Sequence, residues 1–525
     1  MRSISATSAD GAARPRIGGT LGLLAQVVAA LVVLALLCAT SELVAGLLLD
    51  PTVAIRRQAD ALKANLPQGD QVAMVLGVLD TMPALNPAPL VRDPLYLWRN
   101  EPLARKTQPV NPLPFGSHAA WTIANDSRGY RDPDRPLPAE HDGVFRIVCL
   151  GDSITFGFNV DQDETFPRRL ERLLNQRHPG HPVEVVNTAV PGWSWLQGLR
   201  FYETEGAALR PDLVIAAHGT NDQYLPVRVT DAERIAHVER PFVRAAVIAR
   251  ARLMATRTYR LVEQYFPPRA EPLAESPGCA EQVRTTRVCH RVSLPEIQAA
   301  IGELHAQTTA SHVPLVVLNL DFTQTPAAKA ERDATAGTDI TLLDFVMRFA
   351  LLGQDTAHAR AAELGVAPPG PLDDAPGGAR RVVLRVEAPA PEAAMSVRGW
   401  YGYPKPDVDF TAAMYDDGTH GDERASDGIF TVMIDAPPAT WMVQYKYFSG
   451  DTAELEPQAP FPSSMGNRTL RLKQSVRGPV ERFGHMYLMA EQTHPDAEGH
   501  AIIAGDVAYS IEHLDAYRRF IGADR

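Results

Sequence analysis

The stretch RIVCLGDSITFGFNV, residues 146–160, passes from an unbroken apolar string into Gly-Asp-Ser and then into glycines and small polar residues. Ile147, Val148, Cys149 and Leu150 are apolar without alternation, the pattern of a strand buried on both faces. Gly151 ends it, and Ser153 follows two positions later. In an open parallel sheet the carboxyl ends of the strands form the rim where ligand crevices open. Ser153 therefore reads either as a helix cap or as a group presented to a ligand.

The surroundings extend the pattern. ETFPRRLERLLNQ places Phe166, Leu170, Leu173 and Leu174 on one helical stripe. VEVVNTAV is the next strand, SWLQGLRFYETEGAAL a helix, PDLVIAAHG a third strand, SLPEIQAAIGELHAQTTA a helix and PLVVLNLDF a fourth strand. Alternation of this kind predicts an α/β fold with a parallel sheet and helices on both faces. From about residue 371 the period changes. RRVVLRVEA, SVRGWYGY, FTAAMYDDG, GIFTVMID and ATWMVQYKYFS are short strands between turn residues, and the chain returns to helix in DAEGHAIIAGDVAYSIEHLDAYRRF. An all-β sandwich thus interrupts the α/β fold.

At 525 residues two or more folding units are expected. The expected boundaries are 1–18 as a tail, 19–49 as a membrane anchor, 50–140 as a proline-rich, irregular stalk or wrap with a short helix around AIRRQADALKANL, 141–370 and 476–525 as the α/β domain, and 371–475 as the β insert. The run Leu21–Ala39, followed by LVAGLLL, is long enough to cross a bilayer. A retained anchor fits it better than a cleaved signal peptide, whose apolar core is shorter. Arg14 and Arg16 lie close to the apolar run on its amino side, against Arg56, Arg57 and Lys63 beyond it. The expected location is the inner membrane, single-pass, with the bulk of the chain periplasmic or otherwise extracytoplasmic. A formal charge of −11 argues against nucleic acid as a partner. Cys279 and Cys289, in the proline-flanked loop SPGCAEQVRTTRVCH, suit a local disulfide; a zinc site needs more ligands than the neighbouring His290 supplies.

Three further segments bear on Ser153. NTAVPGW, after the second strand, delivers Gly192; HGTNDQY, after the third, delivers Asn221; EQTHPDAEGH, before the last helix, delivers His494. Parallel strands bring such loops to one rim. The chemistry that uses this set is acyl transfer, because a serine hydroxyl needs an imidazole to take its proton and a tetrahedral intermediate needs donors aimed at its oxyanion. Ser153 is then the nucleophile and His494 the base, with the Ser153 and Gly192 N–H groups and the Asn221 amide as oxyanion hole.

GDSIT, PGW, GTND and HPDAEGH, in this order, resemble the four blocks of the SGNH, or GDSL-type, hydrolase superfamily, over about 144–350 and 476–525. The resemblance implies a flavodoxin-like three-layer sandwich, no metal or other cofactor, and esterase, lipase or O-acyltransferase activity on an acyl ester. It gives Ser153, Gly192, Asn221 and His494 the roles reached above. The family usually has an aspartate three residues before its histidine; here Glu491 stands there as the third triad member. Asp152 reads as a structural turn carboxylate, Asp222 as a structural partner of its loop, and His218 as a residue that ends a strand and either packs or lines the cleft. His500 and Glu498 read as a packed or solvated helix face.

No G-x-S-x-G, H-E-x-x-H or Walker pattern occurs. In the insert, Asp416, Asp417, Asp422, Glu423 and Asp427 fit a hairpin with solvated acids or, more weakly, a calcium site. Trp400, Tyr401, Tyr403, Trp441, Tyr445 and Tyr447 fit core packing, with a sugar-stacking face as the alternative. The arginine-rich stretch RAAVIARARLMATRTYR reads as a solvated cover helix, a lid, or a membrane-facing segment. The resulting expectation is a serine esterase acting on envelope carbohydrate, with an O-acetyltransferase or a non-catalytic glycan-binding protein as alternatives.

Overall fold

The computed structural model describes residues 17–49, 89–109, 120–137, 143–223, 227–254, 256–266, 275–286, 288–322, 325–390, 393–401, 408–438, 440, 442–454, 468–484, 488–489 and 494–523. The stalk helix expected around AIRRQADALKANL lies outside them, as do Glu491, Tyr403 and Trp441. The chain divides into two compact units. One contains α1 (Ile17–Leu48) and the stretch Ile248–Ala270, whose helix Arg257–Tyr265 lies beside α1. Val27–Leu48 is 22 residues long. At about 1.5 Å per residue it reaches about 33 Å, enough to cross a bilayer core of about 30 Å. Such a helix near an N-terminus also fits a signal sequence.

The second unit opens with two antiparallel hairpins, β1 (Leu90–Asp93) with β2 (Leu97–Asn100), and β3 (Arg105–Pro109) with β4 (Ala120–Ala124). Their segment was expected to be irregular. Four- and five-residue strands carry too little period to be read locally, and the ordering here is long-range: Trp121 and Ile123 are buried against Phe156 and Ala189, and Tyr96 joins Trp193 and Phe201.

Strands β5 (Phe145–Gly151), β6 (Val183–Asn187), β7 (Leu213–Ala217), β8 (Leu315–Asn319) and β9 (Thr341–Asp344) form one parallel sheet in the order β6-β5-β7-β8-β9. This is the flavodoxin-like doubly wound order, whose switch point lies between β5 and β7. Its fifth strand goes beyond the four read from sequence, because Thr341–Asp344 runs straight into a helix. The flanking helices are α2 (Phe166–Arg177), α3 (Trp195–Phe201), α5 (Leu294–Ala310), α6 (Ala327–Thr335), α7 (Phe345–Leu364) and α8 (Ala497–Glu512), with α4 (Pro277–Thr286) preceding α5 in the chain. Alternate residues of each strand face opposite layers. Ile147, Cys149, Val185 and Ile215 pack against Leu170 and Leu174 of α2 and Val507 and Ile511 of α8. Val148, Leu150, Val186 and Val214 pack against Trp195 and Phe201 of α3 and Ile297 and Ile301 of α5.

Two helices differ from expectation. Regular α-helix stops at Phe201 and continues as a π turn, Tyr202–Gly206, and a 3₁₀ turn, Ala207–Leu209. The cysteine segment is not a loop throughout, since α4 occupies most of it.

Between α7 and α8 the chain forms two packed sheets. One is ordered β10 (Gly370–Pro371), β18 (Val476–Arg482), β11 (Arg380–Glu387), β14 (Ile429–Ala436). The other is ordered β13 (Val408–Ala413), β12 (Met395–Tyr401), β15 (Met442–Ser449), β16 (Thr452–Ala453), with β17 (Arg468–Arg471) also paired to β15. Val382, Leu384, Val386, Val397, Tyr445 and Tyr447 fill the core between them. The hydroxyls of Tyr445 and Tyr447 donate to Glu481 at 2.9 and 2.7 Å, and Arg468 pairs with Glu454 at 2.7 Å and Glu481 at 3.1 Å. Tyr401 is buried with them, so these three tyrosines are core residues. Asp416, Asp422 and Asp427 gather within 4.8 Å, but their carboxylates accept from the turn's own amides: Asp416 from Asp427 and Gly428, Asp422 from Gly418, Asp427 from Ile429. Asp417 instead accepts from Thr419. All of these bonds lie within the hairpin turn.

Candidate active site

β5 ends at Gly151, where a Cβ would lie 2.2 Å from the Thr155 hydroxyl oxygen and 3.0 Å from the Ala217 carbonyl, so only glycine lets the chain turn there. The turn leads into one helical turn, Ser153–Phe156, capped by Asp152, whose Oδ1 accepts from the Ile154 amide at 2.9 Å. Ser153 is thus set at the start of that turn, at the carboxyl end of β5. His494 lies just before α8 and reaches the same point: its Nε2 is 2.7 Å from Ser153 Oγ, across 341 residues of sequence. Its ring packs on Phe158 at a centroid distance of 4.9 Å. Asp496 caps α8 by accepting from the Gly499 amide at 2.8 Å, which fixes the approach of the His494 segment.

Asn221 follows β7, on the other side of the switch point. Its Nδ2 donates to Asp152 Oδ2 at 2.9 Å and to the Trp193 carbonyl at 3.4 Å. Asp152 is therefore more than a turn carboxylate: it joins the Ser153 turn to the Asn221 amide. It is buried, and burial pushes its carboxyl up to about 6, against hydrogen bonds and the His494 ring that act the other way.

Gly192 adopts φ +81°, a left-handed conformation that favours glycine, and a Cβ there would meet the Trp98 ring at 3.5 Å. Arg291 holds its carbonyl: Nη1 donates to Gly192 O at 2.7 Å, Nη2 to Gln197 Oε1 at 2.8 Å, and the same guanidinium pairs with buried Asp231 at 2.7 Å. The guanidinium stacks 5.2 Å above the Trp98 ring, while Trp98 Nε1 donates to Pro191 O at 3.0 Å. Arg291, Asp231, Trp98 and Phe158 were not found from sequence. No local pattern marks them, because each acts through a contact far away along the chain.

Cys279 and Cys289 form a disulfide, which closes the segment just before Arg291. Asp222 is buried and accepts from the Trp195 amide at 3.1 Å; Glu331, also buried, accepts from Trp195 Nε1 at 2.9 Å. Burial raises both carboxyls well above the ordinary range. His218 is buried behind the rim beside Trp195, at 5.1 Å between rings, and burial lowers it to about 3. His500 is buried on α8, accepts from the Phe166 amide at 3.2 Å and is likewise lowered to about 3 by burial. Both are packing residues, whereas Glu498 on the same helix is exposed.

The sheet order and the placement of Ser153, Asn221, Gly192 and His494 around the switch point define an SGNH-type α/β protein. The sequence matches the model of the GDSL-like lipase/acylhydrolase family over residues 149–429, more than half of the chain. The chain belongs to that family, and at family level it is a hydrolase acting on ester bonds. No curated protein matches it.

Similar solved structures include a putative lipolytic protein of the G-D-S-L family from Desulfitobacterium hafniense DCB-2, at 15% identity over 38% of this chain and 77% of that one, with a TM-score of 0.23. The psychrotrophic esterase EstA from Pseudoalteromonas sp. is 11% identical over 38% and 76%, also at 0.23. The acetyl xylan esterase variant Axe2-W215I from Geobacillus stearothermophilus is 16% identical over 43% and 87%, at 0.24.

Proposed function

We propose that the protein is a membrane-anchored serine esterase that cleaves acyl esters through an acyl-enzyme. The single observation that carries this reading is the 2.7 Å contact between Ser153 Oγ and His494 Nε2 at the carboxyl rim of the parallel sheet. Ser153 Oγ attacks the ester carbonyl while His494 Nε2 takes its proton. The imidazolium then gives that proton to the departing alcohol oxygen. Water then attacks the acyl carbonyl while His494 Nε2 takes its proton, the bond between Ser153 Oγ and the acyl carbon breaks as the imidazolium returns that proton to Oγ, and the acid leaves. The backbone N–H groups of Ser153 and Gly192 and the Asn221 amide hold the oxyanion in both steps, with Arg291 and Asp152 orienting the latter two. Glu491 is assigned to the second imidazole nitrogen.

The catalytic domain is assigned to 141–369 and 483–525 and the β module to 370–482, a shift from the boundaries expected at 371 and 475 because β10 and β18 pair within the module's sheet. Single-pass anchoring through α1, with the catalytic domain outside the cytoplasm, is supported by the apolar length of Val27–Leu48 and by the Cys279–Cys289 disulfide, which persists in oxidising compartments. An outward-facing esterase there meets acyl groups on envelope carbohydrate, the substrate class proposed. The test is release of acetate from acetylated glycan by the full chain, with Ser153→Ala and His494→Ala as controls. Free acetate appearing only with wild type supports the esterase. Acetate moved to an added sugar without free acid makes it an O-acetyltransferase. Equal, slow rates in all three, with retained glycan binding, make it a binding protein.

A further inference from the structure

The arginine-rich stretch after residue 248 takes no part in the chemistry above, yet its helix Arg257–Tyr265 is tied to α1 by defined contacts. Glu42 is the one charged residue between positions 27 and 48. Its carboxylate accepts from the Arg257 amide at 2.7 Å and the Thr258 amide at 2.9 Å, so it sits on the amino end of that helix, where the backbone N–H groups favour an anion. The Ser41 and Thr258 hydroxyls lie 3.2 Å apart. The Arg257 guanidinium lies across Gly46, where a Cβ would come within 3.1 Å of its Cδ.

These contacts fix a depth. Glu42 stands six residues before the end of α1 at Leu48, which at about 1.5 Å per residue is about 9 Å below the end of the apolar helix. Amphipathic helices in the plane of a membrane sit about 5–10 Å into the boundary between headgroups and acyl chains. The helix also has the matching surface. Leu261, Val262, Tyr265 and Phe266 fall on one side and Arg257, Arg260 and Gln264 on the other. Val262, Tyr265 and Phe266 are 50%, 65% and 78% exposed, as are Leu43 and Leu47 of α1, at 63% and 79%. Between Ile248 and Phe266 four arginines stand against one glutamate, in a chain of formal charge −11.

We propose that the helix Arg257–Tyr265 is an interfacial helix lying in the headgroup–acyl boundary of the bilayer that α1 crosses, and that the bilayer itself is the partner of its exposed apolar side. Glu42 explains why the two go together. A carboxylate within a membrane span is costly unless it is partnered. The amides of Arg257 and Thr258 supply the partners only if their helix lies at the same depth. Val262, Tyr265 and Phe266 then continue the lipid-facing surface of α1, while the exposed arginines extend to the phosphates.

This inference rests on reading α1 as a membrane anchor, and the experiment separates the two. The full chain with Cys38→Ser is placed in phospholipid nanodiscs and spin-labelled at Val262→Cys, Phe266→Cys, Leu36→Cys or Asp339→Cys, one site at a time. Accessibility to oxygen, which partitions into lipid, is compared with accessibility to a water-soluble nickel chelate. Val262 and Phe266 are expected to give an oxygen-to-nickel ratio several-fold above Asp339 and approaching Leu36. A Leu36 ratio that reads lipid, with Val262 and Phe266 equal to Asp339, overturns the interfacial helix and leaves the anchor standing. A Leu36 ratio equal to Asp339 overturns both.

Discussion

Asp152→Asn isolates the contribution of one buried carboxylate to the oxyanion hole. In the wild type its two oxygens accept from the Ile154 amide and the Asn221 amide, each at 2.9 Å. An asparagine offers one acceptor oxygen and one NH2 group, so it serves a single partner and sets N–H against N–H at the other. Where the turn keeps its bond, Asn221 loses its orientation. A hydrogen bond to a charged group contributes about 1.5–3 kcal/mol, which corresponds to about a 10- to 150-fold fall in kcat. KM should stay near the wild-type value, because the oxyanion forms only after the substrate is bound.

The pH dependence gives a second handle. Burial raises Asp152 to about 6, so the carboxylate is charged at pH 8 and mostly neutral at pH 5, where it resembles the amide that replaces it. The kcat gap on p-nitrophenyl acetate is therefore largest at pH 8 and narrows toward pH 5. A raised acid contributes stability below its unfolded value that is lost as pH rises through about 6, so removing the charge spares the variant that loss at pH 8. Its Tm there should stay close to wild type while kcat falls. Equal kcat at pH 8, or a gap that does not change with pH, would refute the bridging role.

Arg291→Met leaves buried Asp231 without its cation and frees the Gly192 carbonyl; stability should drop by about 3–5 kcal/mol by urea denaturation. Arg291→Lys should recover stability more than kcat, because an ammonium lacks the fork that spans Gly192, Gln197 and Asp231. His218 and His500, held neutral with values lowered to about 3, contribute stability above pH 6.5 that is lost as pH falls below it. At pH 5 each should cost about 2 kcal/mol, and His500→Gln should remove its share of the decline in Tm. Paired Cys279→Ser and Cys289→Ser substitution should lower stability by about 2–3 kcal/mol through the loop it opens, read by urea denaturation.

The parts legible in the sequence are those with local signatures. The apolar run of β5, the helical stripe of α2 and the four motif blocks, three after strands and one before the last helix, state their own conformations, and the shift to period-two strands marks the β insert. The hairpins β1–β4 left no such mark, since a proline-rich run of short strands resembles a loop until Trp121 and Tyr96 are seen to be buried. Asp152 was read by its turn alone, because its bond to Asn221 crosses 69 residues. Arg291 shows the same limit: its side chain looks ordinary in sequence, and only folding sets it on the Gly192 carbonyl. Sequence names groups by type and neighbour, while orientation of an oxyanion donor is a long-range property.

The most direct test of the central claim is to treat the full chain with a fluorophosphonate and locate the adduct by peptide mass spectrometry. The account predicts one modified residue, Ser153, formed with loss of esterase activity and slowed greatly in His494→Ala. Full activity in Ser153→Ala, or an inactivating adduct at another residue, would contradict it.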